Sequence, residues 1–123
     1  MKDAARHYAN VAMQIATPRK LEASLLLEAA SQLQAVRDDW SGKRKNLDNA
    51  LRYNRRLWTI FMTAVTSNDN PLPKEVRQNV ANLGLFVMKQ TMTIQAEPTP
   101  GKLTVLININ REIAAGLRAS DQA

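Results

Sequence analysis

The 123-residue sequence predicts an all-α fold: a compact bundle of four longer helices preceded by a short N-terminal one. Three observations support it. Apolar residues recur at three- and four-residue spacing almost throughout, the period of a helix with one buried face. β-Branched residues rarely alternate with polar ones, so the two-residue period of a half-buried strand is missing. Glycine is scarce, with four residues, and the densest run of turn formers lies in one place, Ser67 to Pro73.

The first segment, 3–16, puts Ala5, Tyr8, Ala9, Ala12, Ile15 and Ala16 on one helical face. Most of these side chains are small and bury little area, so this helix is expected to be the most weakly held and displaceable. Thr17-Pro18 then reads as an N-cap followed by proline at the first helical position, where its missing N–H costs nothing. The helix that follows, 18–40, carries Leu21, Leu25, Leu26, Ala29, Leu33 and Val36 at core spacing and ends at Trp40-Ser41-Gly42.

Beyond the basic linker Lys43-Arg44-Lys45, Asn46 is placed to cap a helix over 46–67, with Asp48 in its first turn where a negative charge suits the helix dipole. Ser67-Asn68-Asp69-Asn70-Pro71-Leu72-Pro73 holds two prolines and cannot be crossed by a continuous helix. Helix 73–96 carries Val76, Val80, Leu83, Val87, Thr91 and Ile94, widened by Leu85, Phe86, Met88 and Met92. So nearly complete an apolar surface predicts a central position.

Pro98-Thr99-Pro100-Gly101 stops that helix, and Thr99-Pro100 repeats the cap-then-proline start. The last helix, 100–117, aligns Leu103, Leu106, Ile107, Asn110, Ile113, Ala114 and Leu117, and 118–123 is expected to be a disordered tail. Short connections favour antiparallel neighbours within a single domain over 1–117.

Composition narrows the function. Hydrophobic residues make up 45% and charged residues 23%, an ordinary globular balance. With no cysteine, disulfides and thiolate metal sites are excluded. Polar residues break up the N-terminus, and no apolar run reaches membrane-spanning length, so cytoplasmic residence without membrane insertion is expected. The charge of +6 raises the prior for an acidic partner, although the basic residues are spread along the chain.

The residue types that catalysis needs do not assemble in the sequence. His7 is the only histidine and has no second ligand nearby in sequence, which favours a solvated side chain over a metal site. Gly42, Gly84, Gly101 and Gly116 are too scattered to form a phosphate-cradling loop. Asp38 and Asp39 are adjacent and point to different helix faces, so they do not act as paired carboxylates. The expectation is a protein that is not an enzyme and uses no cofactor.

Candidate binding residues cluster in one stretch. Trp58 and Phe61 are large anchors one turn apart, and Arg55 and Arg56 flank them with planar guanidinium forks suited to acidic partners. The competing reading, favoured for the aromatics, places both in the core beside Asn54 and Val65, and for the arginines a solvated helix surface. Lys43-Arg44-Lys45 reads either as an RNA contact or as a solubilising turn. Near the C-terminus stand Asn108, Asn110 and Arg111; Asn110 falls on the apolar face and needs a partner there, with a hydrogen bond to the Tyr53-Asn54 region favoured over a ligand.

The run Tyr53-Asn54-Arg55-Arg56-Leu57-Trp58-Thr59-Ile60-Phe61 resembles the flagellar biosynthesis regulator FlaF family of alphaproteobacteria. So do Thr17-Pro18-Arg19 with its leucine-rich helix, Gln34-Ala35-Val36-Arg37-Asp38, Pro71-Leu72-Pro73 and the stretch from Leu106 to Leu117. The resemblance implies a flagellin-binding secretion chaperone that promotes flagellin synthesis and export, acting alongside a companion regulator, FlbT. Alternatives are an RNA-binding post-transcriptional regulator of flagellin mRNA and a scaffold for FlbT. The family offers no catalytic set to transfer. Flagellin-binding candidates are therefore the physically inferred Tyr53, Arg55, Arg56, Trp58 and Phe61, with Asn54, Asn108, Asn110 and Arg111 as structural polar or partner-contact residues.

Overall fold

The computed structural model of the chain describes residues 18–41 and 44–122. Among these the structure is four helices without a strand: α1 Pro18–Asp38, α2 Arg44–Thr66, α3 Lys74–Ala96 and α4 Pro100–Gln122. The helix expected over 3–16 lies outside the described residues.

The helices form an up-down-up-down bundle. α1 packs most extensively on α4, α2 packs on α1 and on α3, and the α3–α4 contact is slight. Arg37 Nη1 donates to Thr104 Oγ1 at 3.3 Å while Arg111 bonds Gln34, so α1 and α4 run antiparallel. Arg44 Nη2 reaches the Gln95 carbonyl at 2.9 Å and Met62 lies against Gly84, which sets the same relation between α2 and α3.

Sequence explains the tightest pair. α1 buries Ala23, Leu26, Ala29, Ala30 and Leu33, and α4 buries Leu103, Leu106, Ile107 and Ala114. Alternating small and large side chains at helical spacing let one helix seat its ridges in the grooves of the other. α1 begins at Pro18 and α4 at Pro100, so proline opens both members of this pair.

Three expectations are corrected. α2 begins at Arg44, which leaves Asn46 inside the first turn rather than capping it. Its start is held by Arg44, whose Nε pairs with Asp48 Oδ1 at 3.2 Å, one turn on, while Nη2 binds α3. α4 continues to Gln122 through the segment expected to be a disordered tail. No proline or glycine follows Gly116, and each added helical residue gains one backbone hydrogen bond for the residue fixed.

The third correction concerns α3, which is not central. It buries Gly84, Val87, Thr91 and Ile94 and leaves Val76, Leu85, Phe86 and Met92 exposed. A helix with one extensive neighbour and one slight one covers only part of its circumference, whatever its composition.

Gly84 marks where α2 and α3 approach closely. A Cβ there would stand 2.5 Å from Met62 Cγ and 2.6 Å from Sδ. Methionine is flexible and Met62 is only half-buried, so Gly84→Ala displaces it, while alanine's helix propensity offsets about 1 kcal/mol. Urea midpoints should place Gly84→Ala within about 1 kcal/mol of the parent and Gly84→Val lower by roughly 1–3 kcal/mol through overpacking.

Glu22, half-buried on α1, has its carboxyl held above the ordinary range by desolvation, partly offset by the charge of Arg19. An acid whose folded pKa is raised favours the fold below its unfolded value and loses that contribution as pH climbs through the raised one. Glu22→Gln should therefore be more stable than the parent at pH 7 and equal to it near pH 3. Equal urea midpoints at both pH values would contradict this.

Candidate functional site

The bundle's centre is polar at one point. Trp58 on α2 is completely buried, and its indole Nε1 donates to Asn110 Oδ1 on α4 at 2.9 Å. Asn110 in turn donates through Nδ2 to Asn54 Oδ1 at 2.7 Å. Phe61 closes the indole edge-on, ring centroids 5.9 Å apart at 83°. Asn54 and Asn110 are both fully buried, and Asn54 Nδ2 has no hydrogen-bond partner among the described residues. A buried amide network of this kind fixes the register of α2 against α4, because sliding either helix by a turn would strand several buried polar groups.

The predicted flagellin-binding residues consequently do not form one patch. Trp58 offers no surface to a partner, and Phe61 is half-buried against it. Tyr53 turns toward α1: its phenol is pushed above its usual pKa by burial and then by the negative charge of Glu28. Arg55 and Arg56 are exposed. Asn110 finds its partner at Asn54, in the region anticipated for it. Asn108 is exposed, and Arg111 is engaged with Gln34 across the α1–α4 seam.

Two surfaces were not anticipated. The first is the outer side of the α2–α3 hairpin. Leu85 is 61% exposed and Met92 69%, seven residues apart on one face of α3 with half-buried Met88 between them. Arg55 stands two turns before Met62 on the side of α2 that meets α3, so it borders this apolar strip. The signal was present in the sequence: apolar residues around most of a helix exceed what two neighbours can cover.

The second is a pocket of about 540 Å³ between the end of α1 and the start of α2, with Pro98 also in its wall. Val36, Trp40, Leu47 and Ala50 give it an apolar floor, and Asn46 and Asn49 stand at its rim. In sequence Trp40-Ser41-Gly42 reads as the end of a helix, a local signal that carries no sign of this wall.

Among the described residues, no three histidine, cysteine, aspartate or glutamate side chains gather to hold a metal ion, and no helix is long and apolar enough to cross a membrane. Arg44 of the basic linker is tied to Asp48 and to the Gln95 carbonyl, whereas Lys45 is exposed. Comparison with curated proteins and with solved structures finds no match in either set. The sequence pattern of flagellar protein FlaF matches residues 4–117, a span that takes in the Trp58–Asn110–Asn54 network and both surfaces, and the chain belongs to that family.

Proposed function

We propose that this member of the FlaF family is a non-catalytic cytoplasmic protein that binds flagellin as a secretion chaperone and so promotes its synthesis and export. The observation that carries the reading is the apolar strip of α3, with Leu85 and Met92 exposed on a face that the other described helices do not cover. Terminal segments of unassembled flagellin, as amphipathic helices, need an apolar groove of this type to shield them from premature assembly. Arg55 at the strip's border suits an acidic flank on such a helix, which adds orientation more than affinity.

A second reading has an observation of its own. Arg52, Arg55 and Arg56 are exposed on α2, which suits phosphate contacts with flagellin mRNA. It is the weaker reading, because neither fully buried Trp58 nor half-buried Phe61 presents a stacking platform for bases. Calorimetric titration with monomeric flagellin at two salt concentrations, with the mRNA leader in parallel, separates the two. Saturable one-to-one flagellin binding that survives high salt supports the chaperone reading. Binding to the RNA alone, lost as salt is added, overturns it.

A further inference from the structure

We propose that the seam between α3 and α4 is the docking site of this chain's own N-terminal segment, residues 3–14, which lies in it as a fifth helix. The site does not depend on the flagellin reading. Met88, one turn after the Gly84 that meets Met62, puts the strip of Leu85 and Met92 on the α2 flank of α3, whereas the seam opens on the other flank.

The seam is open because α3 and α4 meet only near the turn that joins them. Gln90 Nε2 donates to the Lys102 carbonyl at 3.3 Å, and Lys102 Nζ to the Glu97 carbonyl at 2.7 Å. Beyond these bonds the contact between the two helices is slight, so they diverge. Gln90 marks the side of α3 that faces α4. Phe86 and Leu83 stand four and seven residues before it, and Val76 seven before Leu83, so all three share that side. Phe86 is 44% exposed and Val76 41%. On α4, Ile109 and Ile113 follow Lys102 at seven and eleven residues and are half-buried. Large apolar side chains therefore line both walls, and no described helix lies over them.

The chain supplies an occupant at the right place. The bonds from Arg37 to Thr104 and from Arg111 to Gln34 set α1 and α4 antiparallel, so Pro18, where residues 1–17 join the bundle, stands beside the last turns of α4. The first turn of α3 is at the same end, and there the seam is widest. The seam lies on the far flank of α4, one helix away: roughly 10 Å, the reach of three extended residues, 15–17. A helix over 3–14 is about 18 Å long, and the wall from Val76 to Phe86 about 15 Å.

Pattern agrees with length. Ala5, Tyr8, Ala9 and Ala12 share one helical face of the segment, and small side chains let a helix approach two others closely, as a narrowing seam requires. The FlaF pattern starts at residue 4, so the segment belongs to the matched unit. A second copy of the chain fits less well, because each of its described helices is already packed in its own bundle.

The chain has no cysteine, so single thiols introduced into the full chain report what is covered. Alkylation of the Phe86→Cys and Val76→Cys variants should run at least about tenfold more slowly than that of Leu85→Cys, as for a site reached only when the segment lifts off. Ala9→Glu with Ala12→Glu, which charges the docking face, should raise both rates to that of Leu85→Cys and leave Leu85→Cys itself unchanged. Rates at both seam positions that equal the Leu85→Cys rate without the glutamates, or that the glutamates do not move, overturn the proposal. Protection that fades on dilution also overturns it, by placing a second copy in the seam. So does acceleration by the glutamates at Leu85→Cys or at Ile60→Cys instead, which would seat the segment on another face.

Discussion

Asn110→Leu is expected to cost roughly 2–4 kcal/mol of folding stability, a large share of the 5–15 kcal/mol a domain typically has. Leucine has the branching of asparagine and a larger volume, so the loss does not come from a cavity. It comes from the Trp58 indole N–H and Asn54 Oδ1, which both lose their partner inside the buried core. Asn54 Nδ2 already lacks one, so the whole Asn54 amide would then be unsatisfied. Asn54→Leu removes that unpartnered donor and strands only Asn110 Nδ2, so it should cost less than half as much. Combining the two leucines should recover part of the Asn110→Leu loss, because a single polar group, the indole N–H, is then left without a partner. Urea unfolding of the three variants decides the matter; an Asn110→Leu midpoint within about 0.5 kcal/mol of the parent would mean that water satisfies the site.

The second large effect is on binding. Leu85→Glu with Met92→Glu should lower flagellin affinity by about a hundredfold, on the order of 2.7 kcal/mol, since both anchors of the apolar strip become charged and hydrated. Neither residue is part of the core, so the variant should unfold at the parent's urea midpoint. Arg55→Glu tests the border of the strip: it should reduce affinity only several-fold, mainly at low salt, as exposed charges do. Unchanged affinity in the double glutamate variant would move flagellin off α3 altogether.

Glu22 and Gly84 illustrate what sequence can and cannot show about stability. Glu22 sits between the core positions of α1, and its raised pKa comes from tertiary burial, which no local pattern reports. Gly84 reads in sequence as an ordinary weak point of a helix. Only the approach of Met62 from α2 gives it a packing role.

The helices themselves were legible because their causes are local. Prolines at 18 and 100, the Ser67–Pro73 run and apolar spacing in α1 and α4 set type, order and buried face without reference to any distant residue. Asn110 was legible for a related reason: an amide on an apolar face demands a partner wherever the helix packs. What only the tertiary structure decided is which apolar residues have a neighbour. Periodicity states how much of a helix is apolar, and packing then covers as much as the available neighbours reach. In α3 that left Leu85 and Met92 outward while Trp58, the sequence's most conspicuous anchor, went wholly inside. The pocket between α1 and α2 has the same origin, since its wall unites residues of α1, α2 and the turn before α4 that lie up to sixty-six positions apart, from Gln32 to Pro98.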